Sequence, residues 1–149
     1  MKLFSISNLY LKALSQGSVS RLDPVFKFEK LEVWKRSLAF ADEMYTLADN
    51  LPQRYQFSLG EQLRRAALSI PTNIAEGSGR EGGKEQAYFY GVAKGSVYEV
   101  VSLLAMVGKR GQLEAEQHQV HRQEANELAA MLSGLAKAAQ KNKQDGEAR

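Results

Sequence analysis

Two stretches of the sequence contain residue types that bind phosphate or metal ions in other proteins. The first is Gly79–Lys84, whose glycines and lysine are typical of part of a phosphate-binding loop. That loop needs glycine where this chain has Ser78, and serine or threonine where it has Glu85. It also follows a strand, whereas Gly79–Lys84 follows a helical pattern. We therefore interpret Gly79–Lys84 as a turn between two helices.

The second stretch contains His118 and His121, the two histidines of the chain. The di-iron sites of helical bundles need two Glu-x-x-His pairs, but Ala115 and His118 occupy the positions three residues earlier. A surface metal pair with Glu114 is the alternative to two exposed histidines, and the exposed histidines are the favoured interpretation. The chain has no cysteine, and no base stands beside a nucleophile in the sequence. We therefore predict no metal, no cofactor and no enzymatic activity.

A basic cluster around the turn is the candidate nucleic-acid-binding site. It comprises Arg64, Arg80, Lys84 and, further along the chain, Lys94. Lysine and arginine side chains neutralise phosphates, so the cluster favours a contact with RNA or DNA. The same region also contains the glutamates Glu61, Glu76, Glu81 and Glu85. A solvated face of mixed charge is therefore the alternative interpretation of the cluster.

Polar residues among apolar ones predict a second feature, a structural network between the second and third helices. Asn73 shares a helical face with Ile70 and Ile74, and a buried amide without partners costs about 1–3 kcal/mol. The second and third helices are joined at residues 79–83. Position 65 of the second helix should therefore lie opposite positions in the upper nineties of the third helix. The predicted network comprises Arg65, Asn73, Glu76, Ser96 and Glu99.

The elements that must position these residues are four helical patterns with apolar steps of three and four residues. Their predicted ranges are about 30–50, 58–77, 84–109 and 114–140. Ser58 and Glu61 form a capping-box pattern at the start of the second helix. No strand-like alternation occurs in the sequence. We therefore predict an all-α fold, an antiparallel up-and-down four-helix bundle.

The second helical pattern contains Pro71, which is unusual inside a helix. An interior proline removes one backbone hydrogen bond and costs about 3 kcal/mol unless other groups compensate. The neighbouring side chains Ser69, Thr72 and Asn73 are of the types that can bond to freed backbone groups. We expect this stretch to be a specialised architectural element.

Length and composition predict one domain of 149 residues with a substantial core. Residues 28–140 form the predicted bundle, residues 1–27 an N-terminal extension that we expect to be loosely ordered, and residues 141–149 a polar tail. The absence of cysteine suits a reducing compartment, and no apolar run approaches the length of a membrane span. We predict a cytoplasmic protein that does not contact a membrane.

The net charge of +3 is unevenly distributed along the chain. Residues 1–30 contain five basic and two acidic side chains, and residues 137–149 contain four and two. The segment between them contains eleven basic and thirteen acidic side chains. The predicted folded body is therefore not a general binder of polyanions, and an anionic partner would need a local patch or the two ends.

The third helical pattern is apolar over a wider arc than a single bundle requires. Its apolar residues are Ala87, Phe89, Tyr90, Ala93, Val97, Val100, Val101, Leu104 and Val107. Gly91, Gly95 and Ser96 are small enough to let another helix approach closely. This surplus of apolar surface predicts self-association.

Several motifs occur together over about residues 28–137. They are Phe28-x-x-Leu31-x-Val33-Trp34, Leu51-Pro52, Gln62-Leu63-Arg64-Arg65-Ala66, Ser69-Ile70-Pro71-x-Asn73-Ile74-Ala75-Glu76-Gly77, Gly79-Arg80 and Gly95-Ser96-x-x-Glu99. In these motifs the chain resembles the bacterial four-helix bundle protein family, also called the 23S ribosomal RNA intervening-sequence protein family. The resemblance implies a four-helix bundle that assembles into a homopentameric ring.

A relative in that family is the accessory subunit of diversity-generating retroelements, and this similarity implies contact with nucleic acid. Our leading hypothesis is therefore a non-enzymatic homo-oligomer that binds RNA or DNA through Arg64, Arg80 and Lys84. The alternative is a protein-interaction scaffold, with an unknown protein partner and no nucleic-acid role. Salt-dependent binding of nucleic acid separates the two hypotheses.

Overall fold

The computed structural model describes residues 25–147, with side chains described up to residue 141. Four long helices, labelled α1 to α4, make up most of this part of the chain. Residues 25–147 contain no strand, so the predicted all-α class is confirmed. The helices are α1 (Glu32–Asp49), α2 (Glu61–Ser78), α3 (Gly83–Lys109) and α4 (Ala115–Glu147).

The start of α2 differs from the prediction. The chain leaves Pro52 in extended geometry and passes through a helical turn, Gln53–Tyr55, into a π-helical segment, Gln56–Gly60. Ser58 donates a hydrogen bond to the carbonyl of Tyr55 (3.3 Å). The prediction that Ser58 caps α2 was therefore wrong, because the backbone is already helical when it reaches this residue. At the other end of the chain, α4 continues beyond the predicted limit of residue 140.

One apolar core is shared by all four helices. It forms because each helix places large apolar residues three or four positions apart on its inner face. The largest fully buried side chains include Phe40 and Met44 of α1, Leu63, Ile70 and Ile74 of α2, Val97, Val100 and Leu104 of α3, and Leu128 and Leu132 of α4. The core therefore fixes which face of each helix remains available for contacts with other molecules.

Pro71 lies inside α2 and is fully buried, yet the helix continues through it. Thr72 donates its hydroxyl to the carbonyls of Leu68 (2.9 Å) and Ser69 (3.2 Å). Asn73 donates its amide to the carbonyl of Ser69 (2.8 Å). These hydrogen bonds reach the carbonyls of Leu68 and Ser69, whereas the carbonyl that Pro71 leaves without its helical donor is that of Ala67, four residues earlier. The predicted compensation of the freed group is therefore not supplied by these bonds.

The α2–α3 contact brings late residues of α2 against early residues of α3. Ser69 lies within hydrogen-bond distance of Ser96 (2.8 Å). Gly77, eight residues further along α2, lies against Tyr90, six residues earlier in α3. A Cβ atom at Gly77 would be 2.8 Å from Cε1 of Tyr90, so the close approach depends on glycine.

The α3–α4 contact also brings late residues of one helix against early residues of the other. The backbone of Gly83, at the start of α3, meets the carbonyl of Ala139, and a Cβ atom there would clash with it. Gly108, near the end of α3, lies against the ring of His118. The α2–α3 turn and the later part of α4 therefore lie at the same end of the fold.

Candidate functional site

The predicted basic cluster is divided between distant parts of the fold. Arg64 and Arg80 are sixteen residues apart, which corresponds to about 24 Å along helical backbone. The guanidinium of Arg64 donates to the carboxylate of Asp49 (2.6 Å) and to the side-chain oxygen of Gln56 (2.8 Å). Only 24% of the Arg64 side chain is exposed, because it ties the start of α2 to the end of α1. Arg64 is therefore placed as a structural residue.

Arg80 is also occupied by partners within the fold. It pairs with Glu76 and with Glu85 (3.1 Å), and its guanidinium lies 4.8 Å from the centre of the Phe89 ring. Its positive charge is largely neutralised by these carboxylates. Lys84 is exposed and has no ion pair among the described side chains. Of the predicted phosphate-binding residues near the turn, Lys84 is the one whose charge is available.

A polar network does connect α2 and α3, and its centre is Ser69. Asn73 donates to both the carbonyl (2.8 Å) and the hydroxyl (3.0 Å) of Ser69. Ser96 donates its hydroxyl to that of Ser69 (2.8 Å), and Ser96 itself is 8% exposed. The predicted residues Asn73 and Ser96 are therefore brought together. Ser69 was not in the predicted network, although its position four residues before Asn73 was the signal that could have identified it.

The three charged residues predicted for this network lie outside it. Arg65 is 80% exposed and pairs with Glu61 (3.5 Å) on its own helix. Glu76 pairs with Arg80 in the same way, and Glu99 is exposed on α3. Short hydroxyl and amide groups fill the helix contact because they can be satisfied there, whereas burial of the long charged groups would cost their hydration.

The two histidines are less exposed than their sequence context predicted. The side chain of His121 is 16% exposed, and its Nδ1 lies 3.4 Å from the carboxylate of Glu43 in α1. His118 is half-buried against Gly108. Among the described residues no group of three or more side chains is arranged to hold a metal ion. The prediction of two exposed histidines was therefore wrong. His121 packs against α1 and His118 against α3.

A groove of about 550 Å³ separates α1 from α4. Ala39 and Phe40 line its α1 side, and Val120, which is 60% exposed, lines its α4 side. Arg36 crosses between the helices and donates to Glu124 (2.7 Å) and Glu127 (2.5 Å). We refer to this feature as the α1–α4 groove.

Arg36 and its two partners were not among the residues predicted from the sequence. The signal was the spacing of Glu124 and Glu127, which places both carboxylates on one face of α4. Hydrogen bonds to Glu124 and then to Glu127 raise the pKa of Arg36. The hydrogen bond from Arg36, with a second from Gln123, lowers the pKa of Glu127. These two ion pairs join α1 to α4 across the edge of the α1–α4 groove.

The lowered pKa of Glu127 predicts a contribution to stability that is lost in acid. A carboxyl group with a depressed pKa in the folded state stabilises that state above its unfolded pKa, and the effect disappears as the pH falls through the folded pKa. We therefore expect Glu127→Gln to lower the melting temperature at pH 7 and to have no effect well below about pH 4. Thermal unfolding of both proteins across this pH range measures the difference. A constant difference at all pH values would contradict the proposed ionic contact.

A band of apolar side chains lies on the outside of α3. Tyr88 is 66% exposed, Tyr98 62%, Met106 45% and Val92 36%. Gly91 and Gly95 lie on the same side, and a Cβ atom at either would have no neighbour within 4 Å. We call this band, which consists of Tyr88, Gly91, Val92, Gly95, Tyr98 and Met106, the α3 outer surface. The exposed carboxylate of Glu99 lies on the same face, four residues after Gly95 and seven before Met106.

The composition of α3 makes this exposure unusual. Within residues 25–147, α3 is the helix whose length and hydropathy would suit a membrane span, a criterion that core helices of soluble proteins also meet. Only 33% of its most apolar 18-residue window is buried inside the fold. The nine residues of the apolar arc predicted from the sequence are all buried or half-buried, so that arc faces the core. The exposed apolar residues of α3 are additional ones that the prediction did not include.

A family model describes most of this fold. The model of the 23S rRNA-intervening sequence protein family matches residues 29–134. The chain belongs to this family. Comparison with curated proteins gave no match. The resemblance drawn from the sequence motifs is confirmed, with nearly the same limits.

Both the α3 outer surface and the α1–α4 groove lie within the matched segment. The Pro71 stretch of α2 and the Ser69 network lie there too. These features therefore belong to the family domain itself, whereas residues 1–28 and 135–149 lie outside the match.

Proposed function

We propose that this protein is a non-enzymatic structural subunit that self-associates through the α3 outer surface. The observation that carries the proposal is the exposure of Tyr88, Tyr98 and Met106 on a helix with the hydropathy of a core element. Exposed apolar side chains grouped on one helix face are typical of contact sites, and most soluble assemblies are made of identical subunits. Gly91 and Gly95 leave room for another polypeptide to approach the backbone closely.

We infer the finer architecture from the order of the helix contacts and from the family resemblance. The pairs Ser69 with Ser96 and Gly77 with Tyr90 support an antiparallel α2–α3 arrangement. The contacts of Gly83 with Ala139 and of Gly108 with His118 support an antiparallel α3–α4 arrangement as well. Together these arrangements give an up-and-down bundle. The resemblance adds the expectation of a homopentameric ring. A cytoplasmic location and the absence of cofactors complete the proposal.

Sedimentation equilibrium of the purified chain tests self-association. The proposal predicts a mass that is a multiple of the 16.6 kDa chain, and the ring predicts a multiple of five. A mass of a single chain at every concentration would contradict the proposal. A multiple other than five would contradict the ring and leave self-association in place.

Nucleic-acid binding is the second candidate, and the distribution of charge within the fold favours it. The end that holds the α2–α3 turn consists of residues 25–41, 70–96 and 126–141. It carries nine lysine and arginine residues against six acidic residues, whereas the remainder of residues 25–141 carries six against eight. Lys84 and Lys94 lie at the basic end, and we propose that they contact phosphates. Arg64 and Arg80 remain engaged in their ion pairs.

Binding of single-stranded and double-stranded RNA and DNA at several salt concentrations tests this second candidate. Each phosphate contact that is removed lowers the slope of log affinity against log salt by about one. We therefore expect Lys84→Gln with Lys94→Gln to reduce the slope by about two. Arg122→Gln, at an exposed position in the opposite half, is the matched control and should leave the slope unchanged. No binding by the unaltered protein at low salt would favour the protein-interaction scaffold.

A further inference from the structure

Three aromatic side chains form a ladder where the chain enters α1. The rings of Phe26 and Phe28 are stacked, with their centroids 5.7 Å apart and their planes 13° apart. Trp34, in the first turn of α1, supports Phe28 at a centroid distance of 4.9 Å and packs against the core. Phe28 and Trp34 are half-buried, whereas Phe26 is 60% exposed. The ladder therefore runs outward from the core and ends in an exposed ring.

The local backbone holds this exposed ring in place. Residues Lys27–Lys30 form a short 3-10 helix that contacts α1 and α2. Phe26 donates its backbone N–H to the carboxylate of Glu29 (2.8 Å), and Glu29 donates its own N–H to the carbonyl of Phe26 (3.1 Å). Because Phe28 covers one face of the Phe26 ring, the exposed area comprises the opposite face and the ring edge.

Free positive charges accompany the ring. The exposed lysines on the 3-10 helix and in the first turn of α1 are Lys27, Lys30 and Lys35. None of the three forms an ion pair among the described side chains. Glu29 is engaged by the backbone of Phe26, which leaves Glu32 as the exposed carboxylate of this segment. The segment belongs to the basic end of the fold, where Lys84 also lies.

An unpaired base of a single-stranded nucleic acid suits both properties of this site. Every base has a face that can stack on an aromatic side chain, and the phosphates on either side of the base attract lysines. A duplex offers the same phosphates but keeps its bases stacked on each other. A second copy of the chain would bring the same lysines towards one another, and an apolar peptide would leave their charges unused.

We propose that the Phe26 ring stacks on an unpaired base of single-stranded RNA or DNA, while Lys27 and Lys30 contact the adjacent phosphates. This inference rests on the proposed nucleic-acid binding and names the form of nucleic acid that the site takes. The family match begins at residue 29, so Phe26 and Lys27 precede it. The stacking site is therefore an addition to the family domain.

Fluorescence anisotropy with a labelled thymidine oligonucleotide and with a duplex of mixed sequence tests the stacking. Loss of one stacked base weakens binding by about fivefold or more, so Phe26→Ala should lower the affinity for the single strand by at least that factor. Phe26→Leu should behave like Phe26→Ala, because leucine is apolar but has no aromatic face. Phe26→Trp should retain the affinity of the unaltered protein. Affinity for the duplex should stay the same in all three variants.

Phe57→Ala is the matched control. Phe57 is 83% exposed, lies at the opposite end of the fold and makes no ring contact with another described residue. Its substitution should leave both affinities unchanged. Both positions are exposed, so we expect the variants to fold, and circular dichroism checks that they do.

Salt dependence separates stacking from charge. Phe26→Ala removes no phosphate contact, so its slope of log affinity against log salt should equal that of the unaltered protein. Lys27→Gln with Lys30→Gln should reduce the slope by about two. An unchanged slope in this double variant would contradict the assigned phosphate contacts.

Three other results would overturn the stacking site. The first is single-strand binding by Phe26→Leu that is as tight as that of the unaltered protein. The second is an equal loss for single strand and duplex in Phe26→Ala. The third is a lower melting temperature or weaker self-association of Phe26→Ala with unchanged affinity for the oligonucleotide, which would assign the ring to a contact within the protein. No binding of either nucleic acid by the unaltered protein would instead be a failure of the proposed nucleic-acid binding itself.

Discussion

Leu104→Ala is expected to lower the free energy of unfolding by about 2–5 kcal/mol. Leu104 is fully buried on the inner face of α3, where it joins the core shared by the four helices. Alanine removes its apolar contacts and leaves a cavity that close-packed neighbours fill only in part. Urea unfolding at protein concentrations too low for association measures the loss without a contribution from assembly.

Met106 provides the matched control for this change. It lies two residues further along α3 but is 45% exposed on the outer surface. Met106→Ala should change the stability of the single subunit by less than about 0.5 kcal/mol, because surface substitutions usually have effects of this size. Equal losses for the two variants would mean that the inner and outer faces of α3 are assigned wrongly.

Gly95→Gln is expected to act in opposite directions on the single subunit and on the assembly. Glycine inside a helix is less favourable than a good helix former by about 0.5–1 kcal/mol, and the Cβ atom at Gly95 would meet no neighbour within 4 Å. The variant subunit should therefore be more stable by about that amount. The added side chain occupies the space left for another helix, so self-association should weaken by at least about tenfold.

Gly134→Gln is the control for the effect of helix propensity. Gly134 is an exposed glycine in α4, and a Cβ atom there would also have no neighbour within 4 Å. It lies outside both the α3 outer surface and the α1–α4 groove. The control variant should gain similar stability and keep full association in sedimentation. Normal association of Gly95→Gln would show that the α3 outer surface is not a contact site.

The four helices could be predicted because their core positions recur at regular steps. Ile70, Ile74 and Leu104, for example, lie at inward positions of α2 and α3 and are apolar, so propensity and pattern agree there. The π-helical segment before α2 could not be predicted, because nothing in the residues from Gln56 to Gly60 distinguishes it from an ordinary helix start. The apparent cap at Ser58 followed a local rule that the helical turn after Pro52 overrides.

The interaction surfaces could be predicted only in part. The apolar arc predicted for α3 faces the core, and the exposed residues Tyr88, Tyr98 and Met106 were not part of it. The structure divides the basic cluster. Arg64 pairs with Asp49 of α1, which local spacing does not reveal, whereas the pairing of Arg80 with Glu76, four residues earlier, follows from the spacing in the sequence. The α1–α4 groove depends on contacts between residues about ninety positions apart, which a single sequence does not reveal.

Hydroxyl-radical footprinting across a concentration series tests self-association through the α3 outer surface. It reports which side chains lose contact with water when copies associate, without any substitution. We expect Tyr88, Tyr98 and Met106 to become protected as the protein concentration rises. Phe57, which precedes α2 and is 83% exposed, should keep its reactivity. Association without protection of these three residues, relative to Phe57, would contradict self-association through the α3 outer surface.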